Sequence, residues 1–120
     1  MPACTRREVS VIAASIFNSG ILATPRPGEE ATFDYVTAAP ETLGRAHRIA
    51  DVCEAHGVTL PQVAMAFPRL HPAVAGIVVG MRSPAQVRDN VEAFTAGIPG
   101  DLWSDLLDEG LLAEHAPVRA

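Results

Sequence analysis

Three features of the sequence predict an α/β fold with parallel strands. Two short β-branched runs, Val9 to Ala14 and Val74 to Gly80, are almost continuously apolar, as strands buried on both faces of a parallel sheet are. Apolar residues between and after them recur at helical spacing. The connection between the two runs is long enough to hold the helical crossover that parallel strands need. The predicted order is strand, loop, helix, helix, strand, helix, helix. Two strands make a narrow sheet whose edges stay unpaired and prone to association, so the architecture reads as a piece of something larger.

The first run, Val9-Ser10-Val11-Ile12-Ala13-Ala14, ends in the punctuation Asn18-Ser19-Gly20. Residues 23–40 contain Pro25, Pro27, Gly28 and Pro40 and show no sustained period, which predicts a long surface loop of functional or mobile character. From Glu41 an apolar stripe of Leu43, Ala46, Ile49, Ala50, Val52 and Cys53 predicts a helix, with Gly57 placed as its C′ residue. Thr59 followed by Pro61 predicts an N-cap with proline in the first turn, opening a second helix through Val63, Ala64, Ala66 and Phe67 that Pro68 kinks or ends. After Val74-Ala75-Gly76-Ile77-Val78-Val79-Gly80, Ser83-Pro84 restarts a helix with Val87, Val91 and Phe94 on one side. Ile98-Pro99 opens the last helix, whose inner face carries Leu102, Trp103, Leu106 and Leu107 and which Gly110 closes.

With 120 residues and a net charge of -5, the chain has room for one modest domain, and a complete (β/α)8 barrel is excluded. A content of 48% hydrophobic and 19% charged residues is that of a core-forming chain. All nine basic residues are arginines: 6, 7, 26, 45, 48, 69, 82, 88 and 119. The absence of lysine excludes a Schiff-base or lysine-assisted mechanism within this chain, and an acidic balance with scattered arginines argues against nucleic acid or a membrane surface as partner. Cys4 and Cys53 are too far apart for a metal knuckle or a redox pair, and no secretory leader is read before them, so a reduced cytoplasmic protein is expected. The longest apolar stretches are under half the length that crosses a bilayer.

The residues after each strand carry the chemistry, because ligands of parallel α/β folds gather at the carboxyl ends of strands. Ser15-Ile16-Phe17-Asn18-Ser19-Gly20 offers hydroxyls, amides and a glycine, and Gly80-Met81-Arg82-Ser83-Pro84 leads straight into a helix N-terminus suited to an anion. The same residues have blander readings: Ser19 and Gly20 as a simple turn, Arg82 as a solvated charge, Gln86 and Asn90 as exposed polar positions. His47, His56, His71 and His115 have no metal-ligand spacing, and no metal is expected. His56 is expected to bond the last carbonyls of its helix, Cys53 to be a small core residue, and Trp103 with its leucines to be a packing stripe. Phe33 and Tyr35 either touch a substrate or anchor their loop.

Four pieces in order resemble the C-terminal part of the aldo/keto reductase family, nearest to its D-threo-aldose 1-dehydrogenase branch. They are Phe17-Asn18-Ser19-Gly20-Ile21-Leu22-Ala23, Ala55-His56-Gly57-Val58-Thr59-Leu60-Pro61, Gly80-Met81-Arg82-Ser83-Pro84-Ala85-Gln86-Val87 with Asn90, and Ile98-Pro99 with Leu102-Trp103-Ser104-Asp105-Leu106. The resemblance runs from about Val9 to Leu112. It implies a partial (β/α)8 barrel in which the two strands are the seventh and eighth, with residues 1–120 forming one partial domain, a core over 9–112 and a mobile loop at about 23–40.

The resemblance also implies a nicotinamide dinucleotide as cofactor. Ser15, Phe17 and Ser19 would lie along its pyrophosphate, and Gly80, Arg82, Ser83, Gln86 and Asn90 at its adenosine end. Gln86 stands where relatives using NADP often place an arginine, which leans the cofactor toward NAD, although Arg82 is near enough to serve a phosphate. Ile16 departs from the proline many relatives carry. The family's proton-relay group is an aspartate, a tyrosine, a lysine and a histidine from the N-terminal half of the barrel. With no lysine and the single tyrosine Tyr35 in a loop, this chain does not assemble that group. The implied whole reaction is NAD(P)-linked oxidation of an aldose or reduction of a carbonyl, with a complementary N-terminal half-barrel or a second copy of this chain as partner. The contrasting reading is a non-catalytic α/β module that associates through its strand edges.

Overall fold

A computed structural model describes residues 2–113 and 115–117, so that Arg119 and the ends of the predicted 1–120 domain lie outside the described residues. The elements are α1 (Pro2–Arg6), β1 (Val11–Ala13), β2 (Thr32–Phe33), β3 (Val36–Thr37), α2 (Pro40–Ala55), α3 (Leu60–Ala66), β4 (Val74–Ile77), α4 (Pro84–Thr95) and α5 (Gly100–Asp108). Short 3-10 turns occupy Asn18–Gly20 and Pro68–Leu70.

β1 and β4 pair in parallel, with Val11 opposite Val74, Ile12 opposite Gly76 and Ala13 opposite Ile77, and a register irregularity between Val11 and Ile12. Backbone bonds from Val11 N to Ala73 O and from Val78 N to Ala13 O, at 2.7 and 2.8 Å, extend the pair. The crossover through α2 and α3 is the one the sequence predicts. The burial is not: both strands are shorter than their apolar runs, and Val9, Ile12 and Val78 are 52%, 65% and 57% exposed. Each strand has a single neighbour in this sheet, and these side chains have no packing layer over them, so their β-branched pattern is present without the cover it anticipates.

The core lies among helices. Val52 and Cys53 of α2, Leu60 and Val63 of α3, and Leu102, Trp103 and Leu106 of α5 form one buried cluster with Leu111. The Trp103 ring meets Phe67 with centroids 6.1 Å apart. Cys53 and Trp103 are therefore the packing residues expected from their apolar stripes. α2 ends at Ala55, and Gly57 follows at φ +72, the left-handed C′ position that glycine adopts most easily. Thr59 caps α3 in a full capping box: its hydroxyl accepts the Gln62 N–H and the Gln62 side chain accepts the Thr59 N–H. α3 stops at Ala66, just before Pro68.

Three further differences have local causes. The His56 imidazole does not bond the carbonyls at the end of α2; its backbone N–H does so, and the ring reaches across to Asp105 instead. The apolar side of α4 exists but faces outward, with Val87, Val91 and Phe94 exposed and only Ala93 buried. Phe94 is overlaid by the Arg69 guanidinium, 4.1 Å from the ring centre. The stretch 23–40 is not without structure: β2 and β3 form an antiparallel hairpin within it, pairing Thr32 with Thr37 and Phe33 with Val36. It is tied to α2 by Arg26, which reaches Asp51 at 2.8 Å and Glu54 at 2.9 Å, and by the His47 ring, 2.6 Å from Pro27 O.

Candidate functional site

At the carboxyl ends of β1 and β4 an open cleft of about 870 Å³ is formed by three segments: Ser15 to Gly20 with Ala23, Phe33 to Tyr35, and Val78 to Arg82 with Gln86. The parallel pairing of β1 and β4 brings the first and third together, since both chains leave the sheet in the same direction. The hairpin closes the side between them.

Backbone strain is concentrated here. Ser15, Asn18, Ser19, Asp34 and Tyr35 have φ of 56°, 48°, 64°, 54° and 66°, left-handed values that residues with a Cβ seldom adopt, and all of them line the cleft. Asp34 and Tyr35 are the two central residues of the hairpin turn, where a two-residue connection of this hand requires positive φ at both. Such strain persists where surrounding contacts over-determine it, and it clusters at functional sites. Two bonds hold the hairpin to the 3-10 turn: the Thr32 hydroxyl donates to Ser19 O, and Tyr35 N donates to Ser19 Oγ at 3.0 Å.

On the other wall, Ser83 is the N-cap of α4, accepting from Gln86 N at 3.1 Å, while Gln86 Oε1 accepts from Arg82 N at 2.6 Å. Two amides of this terminus are thus occupied within the cap. The Arg82 side chain is exposed and has no ion-pair partner among the described residues, so its guanidinium brings a positive charge to the cleft. A Cβ built on Gly80 meets nothing within 4 Å, which leaves room beside the strand end for a ligand.

Of the residues singled out in the sequence, Ser15, Phe17, Ser19, Gly80, Arg82 and Gln86 line this one cleft. Ser83 lies behind it as a cap, and Asn90, half-buried, is one helical turn beyond Gln86 on α4. The cleft also includes Asp34, which sequence reasoning passed over because Asp34-Tyr35 is not one of the dipeptides that announce a tight hairpin. Phe33 and Tyr35 both line the cleft, and Tyr35 is 86% exposed, so its ring is not a packing anchor for the loop.

Comparison with known proteins bears on the whole chain. The model of the Aldo/keto reductase family matches residues 1–106. The pyridoxal 4-dehydrogenase of Microbacterium luteolum is 43% identical over 113 residues, covering 94% of this chain and 33% of that protein. A D-threo-aldose 1-dehydrogenase from a Pseudomonas species is 38% identical over 112 residues, 93% of this chain and 34% of its own length. The L-galactose dehydrogenase of Arabidopsis thaliana is 27% identical over 114 residues, 95% of this chain and 33% of its own. The chain spans about a third of the length of these curated relatives.

Proposed function

Since the chain belongs to the aldo/keto reductase family, whose members are oxidoreductases built on a (β/α)8 barrel, we propose that its cleft is the part of the active site that holds a nicotinamide dinucleotide. The observation that carries this reading is that Ser15, Phe17 and Ser19 from one strand end and Gly80, Arg82 and Gln86 from the other share one cleft. On this reading β1 and β4 are the seventh and eighth strands of a partial barrel, and a complementary N-terminal part supplies the other six.

The residues suit a dinucleotide. The Arg82 guanidinium offers paired donors to phosphate oxygens, and the end of α4 adds its positive dipole. Ser15 and Ser19 bring hydroxyls to the opposite wall, where Phe17 gives an apolar surface. Ser83 holds the start of α4, and Asn90 reaches the adenosine end. The Gln86 side chain, its oxygen bound to Arg82 N, brings amide donors but no positive charge to offset a 2′-phosphate, and this neutrality leans the choice toward NAD. When bound, the nicotinamide supplies the hydride acceptor or donor. This chain's residues bind and orient it, and with no lysine among them the proton relay comes from outside the chain.

For the whole protein we propose NAD(P)-linked oxidation of an aldose or another small aldehyde or alcohol, in keeping with relatives named for pyridoxal and for aldoses. No helix among the described residues is long and apolar enough to cross a membrane, and a cytoplasmic location belongs to this proposal.

Calorimetric titration of the chain with NAD and with NADP, with light scattering for its mass, tests the reading. Saturable binding weakened about tenfold by Arg82→Ala is expected. No heat with either nucleotide would overturn it. A second reading, an α/β module associating through its strand edges, is favoured by the exposed Ile12 and, just after β4, Val78, at a two-stranded sheet whose outer edges have no partner among the described residues. It predicts a defined oligomer that forms without nucleotide.

A further inference from the structure

The hairpin wall of the cleft meets the 3-10 turn after β1 through one residue. Ser19 turns both of its polar oxygen atoms toward it, Oγ to the Tyr35 N–H and the carbonyl to the Thr32 hydroxyl. The turn it meets is costly, because Asp34 and Tyr35 are both left-handed. Within the hairpin, β2 and β3 contribute two residue pairs, extended by one backbone bond from Ala38 N to Ala31 O at 2.9 Å, and the Tyr35 side chain is 86% exposed. An isolated hairpin of this length does not persist in water.

We infer that Ser19 is a positioning residue of the cleft. Its hydroxyl fixes the Asp34–Tyr35 turn in place, and its effect on ligand affinity passes through the hairpin. The ligand half of this statement rests on the nicotinamide reading above; the positioning half does not. A hydroxyl that accepts one bond still has a proton to donate, so direct contact between Ser19 and a nucleotide phosphate is the competing role.

Three variants separate the two roles. Ser19→Gly deletes the hydroxyl while favouring the left-handed backbone at φ 64, so it removes the bond without adding strain. Ser19→Asn tolerates the same backbone and restores a side-chain acceptor. Thr32→Val cuts the second tie from a residue outside the cleft lining.

Amide hydrogen exchange at Tyr35 in the free protein reads the position of the turn, and calorimetric titration with NAD reads the consequence. Ser19→Gly is expected to speed Tyr35 exchange and to weaken NAD binding, each on the order of tenfold. Thr32→Val should reproduce both effects, and Ser19→Asn should return both toward the unaltered chain. Unchanged Tyr35 protection in Ser19→Gly would overturn the inference, and so would a loss of affinity in Ser19→Gly that Thr32→Val does not share. Should the unaltered chain bind no nucleotide, the cofactor reading fails, and Tyr35 exchange alone still decides whether Ser19 holds the turn.

Discussion

His56 Nε2 lies 2.6 Å from Asp105 Oδ2, joining the end of α2 to the last turns of α5 across the edge of the helical core. The imidazole is only 17% exposed and the carboxylate 54%, so water screens the pair from one side. Asp105→Ala is expected to lower the stability to urea by about 0.5–1 kcal/mol, the range of a partly solvated pair. An unaltered urea midpoint would show that the contact adds nothing to the packing beside it.

The position of the core makes a sharper contrast. Leu102 of α5 is fully buried in the cluster it shares with α2 and α3, whereas Ile12 in the centre of β1 is 65% exposed. Leu102→Ala should cost about 2–5 kcal/mol through lost transfer energy and the cavity left behind. Ile12→Thr should stay within about 0.5 kcal/mol. Comparable losses from the two substitutions would mean that the sheet, like the helices, is covered in solution.

Burial raises the Cys53 thiol from its ordinary value of 9.0 to about 11, chiefly because the thiolate is cut off from water. A raised folded value means that below pH 9.0 both states keep the proton and stability is unaffected. Between pH 9.0 and about 11 only the unfolded chain releases it, so stability falls as pH rises through that window. Cys53→Ala should remove this slope from a pH series of unfolding midpoints, though at some cost from the cavity. With a thiol reagent at pH 8, Cys4, which is partly exposed, should react promptly and Cys53 only on unfolding.

Nucleotide preference should follow the side chain at position 86. Gln86→Arg exchanges an amide for a guanidinium that pairs with a 2′-phosphate in two-point fashion, and an NADP-over-NAD gain of about tenfold is expected from paired titrations. The same change removes the acceptor for Arg82 N, so a small loss of α4 stability should accompany it. An equal response to both nucleotides would place residue 86 away from the adenosine ribose.

Punctuation governed by neighbours in the chain was legible from the residues alone. Gly57 after α2, the Thr59 and Gln62 box on α3, and Ser83-Pro84 at the start of α4 act over one helical turn, so type and spacing suffice to place them. The parallel relation of β1 and β4 followed from the length and helicity of their crossover, and with it the expectation that Ser15 to Ser19 and Gly80 to Gln86 would meet. Their family showed itself in the order of four short motifs that fix no contact singly.

Tertiary structure alone decided the rest, because burial and strained backbone depend on residues distant in sequence. Ile12 and Val91 carry apolar side chains at the expected period, yet only the packing of other elements determines whether such a face is covered, and here it is not. Asp34 tolerates left-handed backbone but Tyr35 has no preference for it, so the pair does not announce a hairpin; the turn exists where Ser19, sixteen residues from Tyr35, offers its hydroxyl. The sequence by itself determined helices α2 to α5, the N-caps of α3 and α4 and the direction of the strands, all set by short-range sterics and hydrogen bonding, whereas α1 at Pro2–Arg6 carried no signal that was read. The third wall of the cleft depended on a long-range bond, which no local pattern encodes.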